Sequence, residues 1–194
     1  MVCPLFVSSF VRWALIVSDS GSIGMQNTDT GIRAFLITEA FRFIARAVSV
    51  PGVTRIAFVG SLTQEKANPK DADVLVTVGD DVDLTDLATA ARKLKGAAQA
   101  RNKGADVFLA NPAGRYIGRI CHWRECGPGI RASCDAQHCG GRHFLHDDLG
   151  DVALDPLLVK EPPVDVWPAV VCRQAIPADL MRHLSHFHPG AAAP

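Results

Sequence analysis

The chain has 194 residues, 48% of them hydrophobic and 21% charged, with 20 Lys plus Arg against 20 Asp plus Glu. Those totals suit one ordinary domain with appendages, able to bury a real core. The zero formal charge argues against a global basic field for bulk nucleic-acid binding, although Arg115, Arg119, Arg124, Arg131 and Arg142 outnumber Glu125 and Asp135 locally.

In chain order, residues 1–17 (MVCPLFVSSFVRWALIV) are apolar enough to suggest a signal peptide or short anchor. No Lys or Arg precedes the run, however, and Arg12 interrupts it, leaving apolar pieces far shorter than the roughly 20 residues of a membrane helix. Residues 1–24 are therefore expected to form an extension outside the fold, with a packed extra strand or helix as the alternative. Thr28, Asp29 and Thr30 are plausible caps for a helix over 31–50, in which Ile32, Leu36, Ala40, Phe43 and Ala47 recur at helical spacing. Arg33, Glu39, Arg42 and Arg46 fall largely on its other side.

Pro51-Gly52 ends that helix, and RIAFVG (55–60) and DVLVTV (73–78) read as buried strands. Between them lies a polar loop punctuated by Asn68-Pro69. Leu84, Leu87, Ala88, Ala91, Leu94 and Ala98 mark a second helix over 83–101, stopped by Asn102-Lys103-Gly104. ADVFLA (105–110) is a third strand and RYIGRI (115–120) a candidate fourth. The alternation is an α/β pattern. After residue 120 regularity fades into a Cys/His/Arg-rich segment to about 146, an extended Pro-rich stretch (161–168) and a short helical segment near 178–186. Domain limits are expected at 25–120 for the α/β domain, 121–170 for a Cys/His-rich appendage and 171–194 for a tail.

Residues i and i+2 of a strand point to one face, so Asp71 and Asp73 project together. Two such carboxylates repel unless a cation or a proton lies between them, and hard oxygen ligands suit Mg²⁺ or Mn²⁺. Asp106, near the start of the third strand, lands at the same end of the sheet if that strand lies beside the second. Three carboxylates can hold metals for a displacement at phosphorus. Upstream, Gly60 lets backbone approach a ligand closely, and the Ser61 hydroxyl and amide can donate to phosphate oxygens.

The elements VGS (59–61), DADV (71–74) and ADV (105–107) resemble, in order and spacing, those of the polymerase β-type nucleotidyltransferase superfamily, over roughly residues 30–120. The resemblance implies a small mixed β-sheet flanked by helices. It also implies that Gly60 and Ser61 hold the triphosphate of a nucleotide and that Asp71 and Asp73 bind the metals. Asp106 would bind the metal nearer the attacking hydroxyl and help activate that hydroxyl. The implied reaction transfers a nucleoside monophosphate to a hydroxyl with release of pyrophosphate. Ala72 stands where many relatives carry a larger aliphatic residue, a conservative departure.

Cys121, Cys126, Cys134 and Cys139 fall as C-x4-C-x7-C-x4-C with His122, His138, His143 and His146 interleaved. Tetrahedral zinc takes four N or S ligands, through the four cysteines or with His122, His138 or His143 among them. Reduced packing thiols or paired disulfides are the other readings. His183, His186 and His188 are expected to be solvated, and Trp123 and Trp167 to pack the appendage onto the domain. The function expected is a cytoplasmic, Mg²⁺-dependent nucleotidyltransferase acting on a protein or small-molecule hydroxyl, with structural zinc in the appendage and no membrane partner. A nucleic-acid acceptor is not favoured. The alternative is a non-catalytic nucleotide- or partner-binding module, antitoxin-like, on the same fold.

Overall fold

Alternation of large apolar and small or polar residues along four central segments builds the sheet that everything else covers. The structure, a computed structural model, describes residues 28–122, 142–146, 149–150, 152 and 154–187. Helix α1 (Thr28–Ala47) leads to strand β1 (Val53–Val59), a single 3₁₀ turn (Gly60–Thr63) and β2 (Asp71–Val78). Helix α2 (Thr85–Gln99) then returns the chain to β3 (Gly104–Ala110), followed by β4 (Tyr116–Ile120) and the two-residue β5 (Leu145–His146). Helix α3 (Pro156–Lys160), β6 (Val164–Trp167), β7 (Val171–Cys172) and α4 (Ala178–His186) complete the described elements.

The seven strands form one mixed sheet in the order β5-β4-β3-β2-β1-β6-β7. Only β2 and β3 run parallel, with α2 as their crossover, and every other neighbouring pair is antiparallel. The mixed α/β class expected from the sequence is the one observed. The Pro-rich stretch is extended, as expected, but it is also integral to the sheet. Phe58 pairs with Val164 and Ala57 with Asp165, so β6 covers the free edge of β1 instead of standing apart from it.

Alternation sorts the strands onto two faces. Ile56, Phe58, Val74, Val76, Val78, Val107 and Leu109 share one core with Leu36, Phe43 and Ile44 of α1, Leu87 and Leu94 of α2, and Leu180 and Leu184 of α4. This is the apolar stripe of each helix seated on the pleats. Fully burying one such side chain contributes about 1.5–3 kcal/mol. The opposite face has a smaller cluster of Ala57, Val59, Leu75, Ala110 and Val159, flanked by Phe108, Tyr116, Leu154 and Leu158. Alternation places Asp71, Asp73 and Asp106 on that second, thinly covered face. Among the described residues, no helix is long and apolar enough to cross a membrane.

One expectation changes in the C-terminal part and one in α1. His183 is half-buried, its ring stacked on Phe41 at 5.5 Å, where a solvated side chain was expected; His186 is exposed as expected. Trp167 packs against the main core from β6. Arg33, placed on the polar side of its helix by periodicity alone, is only 6% exposed. Residues 1–27, Trp123, His138, His188 and Cys126, Cys134 and Cys139 lie outside the described residues.

Candidate functional site

The site grows from the register of β2 and β3. Asp71 pairs with Gly104, Ala72 with Ala105 and Asp73 with Asp106. Parallel neighbours lie about 4.8 Å apart, so Asp73 and Asp106 stand side by side on adjacent strands, with Asp71 two residues before Asp73 on the same face. On the other side of β2, Val59 pairs with Asp73, which puts the Gly60–Thr63 turn at the same end of the sheet. The three acids and the Gly-Ser turn expected to act together are therefore neighbours.

Two glycines make room for the carboxylates. Gly60 has φ +68°, a left-handed conformation that side chains resist, and a Cβ on it would collide with Oδ2 of Asp73. A Cβ on Gly104 would likewise strike Oδ1 of Asp71. Gly104 reads in the sequence only as a helix stop. Its second role follows from the register, which places it opposite Asp71.

Electrostatics differ sharply among the acids. Asp73 is half-buried, and its carboxyl is pushed up from 3.8 to about 7 by burial first, then by the charges of Asp71 and Asp106; Lys95 opposes weakly. Burial also pushes Asp106 upward, but the His122 hydrogen bond, with Lys95 and Arg119, outweighs it and leaves that carboxyl below its ordinary range. His122 Nε2 lies 3.0 Å from Asp106 Oδ1, and Lys95 Nζ lies 3.5 Å from the same oxygen. On the far side of the ring, Arg119 Nη1 is 3.4 Å from His122 Nδ1. Arg119 can only donate, so Nδ1 accepts and Nε2 carries the proton toward Asp106.

Neither Lys95 nor His122 is read in the sequence as a partner of Asp106. Lys95 arrives from α2, and His122 reads there as a candidate zinc ligand; in the fold it faces Asp106. Cys121 is buried, its Sγ accepting from Arg92 Nη2 at 3.0 Å. It is the one member of the four-cysteine set within the described residues. His143 is exposed.

The Gly60–Thr63 turn is braced from behind. Arg33 donates through Nη2 to the Leu62 carbonyl at 2.8 Å and through Nη1 to those of Gln64 and Lys66 at 3.0 and 3.1 Å. Its Nε pairs with Asp179 of α4 at 2.7 Å. Gln174 donates to the Thr63 carbonyl at 3.2 Å, and Thr63 Oγ1 to that of Gly60 at 2.8 Å. The Ser61 hydroxyl donates to the Asp71 carbonyl at 3.2 Å, tying the turn to the head of β2.

Among the described residues, no three His, Cys, Asp or Glu side chains already form a metal cage. Three carboxylates nonetheless stand on neighbouring register positions, one of them driven toward protonation by burial first and by the other two second, and hard oxygen donors of this kind suit a divalent cation. A bound cation would compete with protons for Asp73, and with His122 and Lys95 for Asp106. No protein-family model, curated protein or solved structure matches this chain.

Proposed function

We propose that the chain is a metal-dependent nucleotidyltransferase. It would transfer a nucleoside monophosphate from a nucleoside triphosphate to a hydroxyl acceptor, with a site built from Asp71, Asp73, Asp106, Gly60 and Ser61. The observation that carries this reading is the pairing of Asp73 with Asp106 beside the Gly60–Thr63 turn. It sets an anionic cluster that calls for a cation next to backbone able to approach a phosphate. The nucleotidyltransferase-like fold, the Mg²⁺ or Mn²⁺ requirement and the triphosphate partner belong to the same proposal.

In this reading Asp71, Asp73 and Asp106 hold Mg²⁺, which supplies charge stabilisation for the attacking and leaving oxygens when bound. Gly60 and Ser61 present backbone N–H groups to the triphosphate, and Arg33 keeps their turn in one conformation. The acceptor oxygen bonds to the α-phosphorus, the bond from that phosphorus to its bridging oxygen breaks, and pyrophosphate leaves with the electron pair. Asp106 would orient the hydroxyl, whose proton passes to solvent. The protein's contribution is positioning and fixed charge.

One observation favours a second reading, a non-catalytic binding module on the same fold: Asp106 is already engaged by His122 and Lys95. The two separate in one experiment. The purified chain is incubated with Mg²⁺, α-labelled nucleoside triphosphates and cell lysate, and label transfer and pyrophosphate are measured. The enzyme reading expects both from the wild type and neither from Asp71→Ala or Asp73→Ala. Nucleotide binding without label transfer or pyrophosphate supports the binding module instead.

A further inference from the structure

Thr63 closes the 3₁₀ turn with its side chain out of water, at 1% exposure, and its hydroxyl lies between two partners. Gln174, 111 residues along the chain, donates through Nε2 to the Thr63 carbonyl at 3.2 Å and reaches Oγ1 at 3.4 Å. The carbonyl can only accept, so the nitrogen of the Gln174 amide faces Thr63 and Oγ1 takes the same donor. The hydroxyl then donates onward to the Gly60 carbonyl at 2.8 Å. A relay thus runs from Gln174 through Thr63 to the peptide that joins Gly60 and Ser61.

That peptide carries the Ser61 N–H. A planar trans peptide points its C=O and its N–H in opposite directions, so holding the Gly60 oxygen on the Thr63 hydroxyl aims the Ser61 N–H away from it. Gly60, at φ +68° and without a side chain, leaves the plane more rotational freedom than another residue would. Arg33 holds the carbonyls of Leu62, Gln64 and Lys66, all of them further along the chain. The Ser61 hydroxyl gives its one proton to the Asp71 carbonyl, so donation from this residue to a phosphate falls to its N–H. Resting on the nucleotidyl-transfer reading of this site, we propose that Thr63, oriented by Gln174, is a positioning residue that aims the Ser61 N–H at the triphosphate. Thr63 touches no substrate itself. A hydroxyl bonded back to the carbonyl three residues earlier also serves simply to finish a helical turn, and the two roles separate in what a variant changes.

The test measures, on the full chain, the thermal midpoint, binding of Mn²⁺ alone, and binding of each of the four ribonucleoside triphosphates with Mn²⁺ present. Thr63→Val, which replaces the hydroxyl by a methyl, is expected to weaken the tightest-binding triphosphate by about tenfold and to leave binding of Mn²⁺ alone unchanged. Thr63→Ser should restore the triphosphate affinity. Gln174→Met, at an exposed position, should weaken it in the same direction by a smaller factor. Triphosphate binding unchanged in folded Thr63→Val overturns the inference, as does an equal loss of Mn²⁺ binding or a loss that Thr63→Ser fails to restore. Where Thr63→Val does not fold, Gln174→Met carries the test, and triphosphate binding equal to the wild type overturns the inference. A wild type that binds none of the triphosphates instead removes the nucleotidyl-transfer reading, and this inference with it.

Discussion

Two aspartates on the same face of the sheet show two ways in which the fold holds a carboxylate away from water. Asp165 of β6 is 6% exposed and enclosed by cations. Arg55 meets it through Nε at 2.6 Å and Nη2 at 3.1 Å, and Arg173 through Nη1 at 2.7 Å. Arg55 also donates to the carbonyls of Val159 and Lys160, so the pair fastens α3 and β6 to β1. Asp73 of β2 makes no ion pair among the described residues; the charges of Asp71 and Asp106 act on it, and that of Lys95 opposes them only in part. The fold neutralises the buried acid with guanidinium groups and leaves the half-buried one to a proton or an added cation. Where buried charge is left uncompensated, a functional site is the first place to look.

The comparison breaks most visibly at Asp165. Arg55→Met should strand a buried carboxylate with Arg173 alone and cost about 3 kcal/mol in urea unfolding, with the slope unchanged. A loss near zero would mean that Arg173 suffices and the site is not a designed pair. Next in size is Gly60→Ala, which forces a side chain into φ +68° and against Asp73. It should destabilise the protein by roughly 2 kcal/mol and weaken nucleotide binding. Asp73→Asn should do the reverse to stability. By removing a repelled charge it should stabilise the metal-free protein at pH 8 by on the order of 1–2 kcal/mol.

The smallest effect lies in the pH dependence, and its sign differs between two acids. The folded-state value of Asp73 is raised to about 7 from 3.8. Its contribution is therefore complete below about pH 4 and is lost as pH rises through 7, so the advantage of Asp73→Asn should grow across that window. Asp179 is the opposite case. Burial raises its carboxyl, but the Arg33 hydrogen bond, with the backbone N–H of Leu180, outweighs it and leaves it lowered. Its stabilisation is present above the ordinary aspartate range and is lost as pH falls through the lowered value. The cost of Asp179→Asn should accordingly vanish in acid. Parallel pH profiles for the two variants would contradict the assignment.

Strands β1 to β4, both long helices and the three acids with Gly60-Ser61 were legible in the sequence because local periodicity and spacing encode them. Register did the rest: once ADVFLA lies beside DVLVTV, Asp106 must stand next to Asp73. Gly104, Lys95, His122 and Arg33 were not legible in their roles, because each acts through a partner distant in the chain. Periodicity assigned Arg33 to solvent, yet three carbonyls and Asp179 satisfy it inside. Strand β6 was hidden for a related reason. Its four residues are flanked by prolines, and only the open edge of β1 gives them a ladder to join.

The central claim is that Asp71, Asp73 and Asp106 share a divalent cation, and an equilibrium titration of the metal-free chain with Mn²⁺ at pH 6 and pH 8 tests it most directly. The account expects saturable binding that tightens by about tenfold as Asp73 gives up its proton, and its loss in Asp73→Asn and Asp106→Asn. Saturable binding of equal strength at both pH values and in both variants would place the cation elsewhere, and no saturable binding at all would contradict the shared site.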